Sequence, residues 1–284
     1  MKKSIISIIA AVLVTVLLLL LSSCQHVKIS EGFAYSVDGD DCTITGIGDC
    51  TDTDLVIPIK IDGYRVTAIA DRAFADNTDI KSAVVSSGVN HIGEKAFSGC
   101  TSLESIYLPG SIDEIGAEAF VDCLSLVSVT LENGIHVIGD TAFGGCTALK
   151  NIHIPSSVVS IGKAAFADCA SLENVDFEKG VREIGDGAFM SCSSMKQLDM
   201  PKSVESIGVK AFKDCTSLEA IMIPKGISKI GVGAFDGCTA LENVKFERES
   251  EWIAGGVDVK DLQDTAKAAE LLTGTHADKM WERK

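Results

Sequence analysis

Phenylalanine recurs at Phe74, Phe97, Phe120, Phe143, Phe166, Phe189, Phe212 and Phe235, each 23 residues after the last. No fold with a single compact core demands such a period, and a chain built this way is expected to be a solenoid. A whole template travels with each Phe. Three residues on comes Cys (Cys100, Cys123, Cys146, Cys169, Cys192, Cys215, Cys238), with Asn77 in that place in the first unit. Six residues on comes a large aliphatic residue, as in Leu103 and Met195, and further apolar residues follow at nine and eleven, as in Ile106 and Leu108 or Val129 and Leu131. Val or Ile then stands at plus fifteen, Ile at plus eighteen and Gly at plus nineteen, from Gly93 through Gly231.

The alternation at plus nine and plus eleven suits a short strand with one buried face. The recurring Ile-Gly step predicts a positive backbone angle where each coil turns. A 23-residue coil cannot bury its apolar side alone, so coils must stack. At roughly 4.8 Å per parallel strand, about nine coils make a rod on the order of 40 Å long. The expected fold is a repeat solenoid, with short parallel strands on one face and turns or 3-10 segments on the other. A hydrophobic content of 46% supplies its continuous core.

An open solenoid needs closed ends. Four segments follow: a leader over 1–23, an N-terminal cap over 24–55, the repeats over 56–247 and a C-terminal cap over 248–284. In the front cap, Phe33–Val37 and Cys42–Thr45 read as two strands around the turn Asp38-Gly39-Asp40-Asp41. At the back the period fails after Phe246. There Asp261–Leu272 reads as a helix, with Leu262, Ala266 and Ala269 on one face and Gly274 as its terminator. Trp252 and Trp281 read as cap hydrophobes in preference to a sugar-stacking platform.

Lys2 and Lys3 precede an uncharged, mostly apolar run from Ile5 to Leu21, followed by Ser22-Ser23-Cys24. This order reads as a secretory signal peptide, and Leu21-Ser22-Ser23-Cys24 resembles the lipobox of bacterial lipoproteins. That resemblance implies cleavage before Cys24, acylation of its thiol and tethering to a membrane outside the cytoplasm. Loss of the two lysines leaves 23 basic against 40 acidic side chains, a net charge near −17. A body this acidic is repelled by nucleic acid, so no nucleic-acid partner is expected.

Seven cysteines form a row of parallel side chains, a geometry unsuited to disulfides or to tetrahedral zinc, and they read as buried structural thiols. Cys42 and Cys50 lie outside the row, eight residues apart in an exported chain, and form a candidate disulfide. The histidines are scattered without metal-ligand spacing, and no G-x-S-x-G or phosphate-cradling loop occurs. The expectation is a non-enzyme with no cofactor and no metal. His153, one coil from Asp176, reads as a surface ion pair and not a catalytic dyad.

The coil I-G-x-x-A-F-x-x-C-x-x-L-x-x-I-x-L-P-x-x-V-x-x-I-G, recurring between Val56 and Phe246, resembles the BspA-type leucine-rich repeat found in surface proteins of oral and gut bacteria and some protists. The opening I-P-x-x-x-x-G-x-x-V-x-x-I, here Ile57 to Ile69, is similar to that family's first repeat. The resemblance implies a surface protein, adhesin-like in some relatives, binding a host-matrix or bacterial-surface macromolecule, and it offers no catalytic residues. The candidate binding face is the outward plus-ten column, Tyr107, Thr130, His153, Asp176, Asp199, Met222 and Lys245. Its flanking plus-eight column, Ser105 through Asn243, is small and mainly polar. The reading is a membrane-anchored monomer presenting this face to protein or glycan. The alternative is an envelope scaffold or spacer whose partners are the cell's own proteins.

Overall fold

The computed structural model describes residues 30–247, 252–259 and 262–283. The leader and Cys24 lie outside the described residues. Each coil contributes two strands to two parallel ladders. The first ladder holds the predicted strand, as in Ser105–Leu108, Ser128–Leu131, Asn151–Ile154, Asn174–Phe177, Ala220–Ile223 and Asn243–Phe246. Neighbours pair at the same template position, so Ser105 faces Ser128 and Asn151 faces Asn174. The ladder opens with Asp54–Ile57 paired to Ser82–Val85. Side chains at plus nine and plus eleven point into the core, where only Val129 and Phe177 are half-buried.

The opposite side is more regular than turns or 3-10 segments. Two-residue strands, from His91–Ile92 through Ser160–Ile161 to Lys229–Ile230, form a second parallel ladder at plus seventeen and eighteen. Turns fill the rest of each coil, and the described residues contain no 3-10 segment. β-Branched Ile at the same height in every coil buries its side chain inward while its backbone meets the next coil.

The Ile-Gly step does not take the positive φ expected of it. None of the column from Gly93 to Gly231 is left-handed. Those glycines are needed for closeness: a Cβ on Gly116 would lie 2.5 Å from the Ile92 oxygen of the coil before. The left-handed residues instead flank Phe at minus two (Arg72, Lys95, Glu118, Thr141, Ala164, Gly187, Lys210, Gly233) and at plus two (Asp76 through Gly237). Thr141, at φ +55°, is the costliest occupant, being β-branched in a region that suits glycine. Replacing Thr141 with the Gly found at the same place in two later coils should stabilise the protein by about 1 kcal/mol. The check is urea unfolding of Thr141→Gly, and an unchanged or lower midpoint would refute it.

Position plus twelve alternates Pro109, Glu132, Pro155, Glu178 and Pro201 before Pro224 and Glu247. Where Glu stands, its N–H donates to the preceding coil, as from Glu132 to Leu108 O and from Glu178 to Ile154 O. Proline has no N–H to give. The first ladder breaks into three sheets, with gaps between Leu131 and Pro155 and between Phe177 and Pro201, while it runs on unbroken at Pro109 and Pro224. Two of the four prolines therefore coincide with the gaps in the strand face.

Both ends are capped. Ala34–Asp38 pairs antiparallel with Asp41–Gly46, as predicted, and the latter heads the second ladder by pairing with Tyr64–Ile69. At the back, Trp281–Arg283 pairs antiparallel with Lys229–Ile230 and with Trp252–Ala254. Trp252 and Trp281 are buried around Phe246, with ring centroids 5.6 and 6.2 Å from it, as cap hydrophobes should be. The helix is shorter than predicted, Thr265–Glu270, continued by a π-helical turn at Leu271–Thr275. Asp264 sets the start, its carboxylate accepting the Ala266 and Lys267 N–H groups. Ala268 and Ala269 face inward and Ala266 is exposed, which corrects the predicted face. Gly274 lies inside the π turn, which ends one residue beyond it.

Candidate binding surface

The core explains why the template repeats. From Phe97 to Phe235 the rings stack at centroid distances of 5.1–5.5 Å, with Phe74 joining at 4.8 Å. Each ladder cysteine donates its thiol to the Phe carbonyl of the preceding coil at 3.1–3.3 Å. Cys is small and apolar enough for this buried slot and still brings a donor. In the first coil Asn77 stands in the cysteine's place. Asn77 instead accepts the Asp79 and Ile80 N–H groups.

Burial pushes the Cys100 and Cys169 thiols up to about 12 and the Cys123, Cys146 and Cys192 thiols well above the ordinary range. Such thiols are inert. Cys42 is buried with its Sγ 4.0 Å from the Tyr64 carbonyl, Cys50 is half-buried, and neither is bonded to the other. At pH 8 a thiol reagent should therefore modify Cys50 alone among the nine cysteines other than Cys24 in the native protein, and all nine after denaturation. A Cys42–Cys50 disulfide would show as no fast thiol and seven in total.

The seven residues of the candidate face lie in one exposed or half-exposed line. Tyr107 faces Thr130, His153 faces Asp176 and Met222 faces Lys245 across adjacent strands. Asp199 sits just past the shortened strand Gln197–Leu198. His153 Nδ1 lies 2.9 Å from Asp176 Oδ2, with Glu178 Oε1 at 3.7 Å from Nε2. This is the anticipated pair on an open face, and such contacts contribute little to stability. Beside it the Asn174 amide donates to Asn151 Oδ1 at 2.8 Å. Partial burial raises the Tyr107 hydroxyl's pKa, with the Glu132 charge adding to it. The line is polar and mixed, with Met222 its one strongly exposed apolar group.

Concavity lies elsewhere. A trough of about 370 Å³ opens on the second ladder, floored by Gly162, Gly185, Gly208 and Gly231 and closed at one end by Met280. Composition and spacing hid it, because it arises from a column without side chains once the coils are stacked.

Six copies of the BspA type leucine rich repeat region match the chain, over residues 67–196 and 136–256. The chain belongs to the BspA-type leucine-rich repeat family. The fold is similar to that of a T. pallidum leucine rich repeat protein, 31% identical, covering 75% of this chain and 91% of that one, with a TM-score of 0.61. A leucine-rich repeat protein from Bacteroides ovatus is 26% identical over 79% of this chain and 72% of its own, with a TM-score of 0.53. A search of curated proteins finds no match. BspA-type repeats form protein-binding scaffolds, typically on bacterial surfaces. Among the described residues no helix is long and apolar enough to cross a membrane, and no three His, Cys, Asp or Glu side chains are placed to hold a metal ion.

Proposed function

We propose that this protein is exported, anchored by lipid on Cys24, and displays its solenoid at the cell surface to bind a host-matrix or bacterial-surface macromolecule. The observation carrying this reading is the strand face, where chemically varied side chains from Tyr107 to Lys245 stand in register on a rigid scaffold closed at both ends. Regular backbone with variable outward columns is how repeat proteins build recognition surfaces. The leader supports export, and the run from Ser22 to Cys24 supports acylation. Ser30, whose N–H donates to Val56 O at 3.3 Å, ties the chain down six residues after Cys24. The N-terminal cap would then stand within about 20 Å of the lipid.

Protease shaving of intact cells, read with an antibody to the repeats, tests the proposal. Wild type should lose the repeat body from the cells, and Cys24→Ala should leave the membrane fraction. Protection of the wild type would favour the envelope scaffold, and retention of Cys24→Ala would remove the lipid anchor.

A further inference from the structure

One coil departs from the template on its outer surface. Of the exposed large apolar side chains among the described residues, Leu124 and Val127 are the only two that share a coil, at 46% and 53% exposure. Elsewhere the column of Leu124, four residues after Phe, holds Thr, Ser or Ala. The column of Val127, seven residues after Phe, is charged in every other coil, and its first five members are Lys81, Glu104, Val127, Lys150 and Glu173. Backbone bonds keep these members in register, the N–H groups of Glu104, Val127 and Glu173 donating to Lys81 O, Glu104 O and Lys150 O at 2.7–2.9 Å. The four charged side chains are exposed, and none has an ion pair among the described residues.

We propose that this surface docks a second copy of the chain, the two rods lying side by side and antiparallel about a two-fold axis at the coil of Phe120. Such an axis crosses the rods at right angles, so it lays each column on its own copy while reversing the order of the coils. Leu124 and Val127 then meet themselves, as an isologous contact requires, and lose apolar surface to each other that their own chain leaves in water. On either side Glu104 faces Lys150 of the second copy, and Lys81 faces Glu173.

The charges are thus antisymmetric about the one apolar member of the column, and that coincidence selects a second copy as the occupant. A slip of one coil sets Lys81 against Lys150 in one direction and Glu104 against Glu173 in the other. Parallel rods would set every charge against itself. Like charges therefore oppose the competing arrangements, while the antiparallel one satisfies all four. The strip is short, since five coils at roughly 4.8 Å per strand span about 20 Å. Its contact falls among the small interfaces of less than about 1,200 Å², and a dissociation constant on the order of 100 μM is expected. This pairing departs from the monomer expected from the sequence and is independent of any ligand on the strand face.

Sedimentation equilibrium of the purified protein from about 10 μM to about 1 mM tests this. Wild type should pass from monomer to dimer across that range. Leu124→Thr/Val127→Lys gives the coil the residues of its neighbour, Thr147 and Lys150. It should weaken association by about tenfold or more with unchanged Tm. Glu104→Lys and Lys150→Glu should each weaken it by roughly fivefold alone. An equimolar mixture of those two variants should associate as wild type does, because each supplies the charge that the other has lost. A monomer at every concentration, association indifferent to Leu124→Thr/Val127→Lys, or a mixture no stronger than its components would overturn the proposal.

Discussion

Phe143→Ala should destabilise the protein by about 3–5 kcal/mol, at the upper end of the range for emptying a buried aromatic site. Phe143 is fully buried between Phe120 and Phe166, with centroids at 5.1 and 5.4 Å and interplanar angles of 6° and 7°. Truncation therefore removes two ring contacts as well as opening a cavity. The backbone around it cannot collapse to fill the gap, because Phe143 N–H is bonded to Ala165 O and the Phe143 carbonyl receives the Cys169 thiol. Coils contact only their neighbours, so a break at mid-length uncouples the halves. Urea unfolding followed by far-UV circular dichroism should change from one transition to two. Phe143→Leu keeps most of the volume and should cost far less; equal losses for Leu and Ala would show that the stack is not what holds the coils.

Gly208→Ala should cost on the order of 3 kcal/mol, with most of that cost absent from Gly187→Ala. The two glycines sit in the same solenoid for different reasons. Gly208 has an ordinary φ, but a Cβ there would stand 2.5 Å from Asp186 N and Gly185 C, both backbone atoms of the preceding coil. Neither can give way without parting the ladder. Gly187 has φ +62° with nothing nearer than Met190 Cβ at 3.9 Å, and Ala164 occupies the equivalent place one coil earlier at φ +51°. Its substitution carries only the left-handed penalty, about 1 kcal/mol. Comparable midpoints for the two variants in parallel denaturation would refute the distinction.

The strand face was legible because burial at plus nine and plus eleven repeats with the period of a strand, so outward residues such as His153 could be assigned from spacing alone. The second ladder was legible only as an Ile-Gly step. Its two-residue strands are too short to show alternation, and its glycines look the same in sequence whether they supply a positive φ or a close approach. The true left-handed positions were hidden because Arg72, Lys95, Glu118 and Thr141 carry no local signature of that conformation. The trough was hidden for a related reason, since absent side chains become a surface feature only when coils stack. In the C-terminal cap the spacing suggested a longer helix than Thr265–Glu270, and the capping carboxylate of Asp264 carried no signal that set it apart from the other acidic residues nearby.

The alternation of proline and glutamate edges sets a natural step for changing the length of this molecule. A Glu coil also reaches back to its predecessor, the Glu178 carboxylate accepting the Ser156 N–H. Proline and glutamate edges are therefore complementary, and each pair of coils is a module with matched ends. Insertion or deletion of 46 residues preserves every junction, whereas a single coil leaves two like edges in contact. Pro201 and Pro224 form one such junction, and there the strand of the Pro201 coil contracts to Gln197–Leu198. Lineages that lengthen or shorten the rod should do so in pairs of coils, with odd steps marked by a shortened strand.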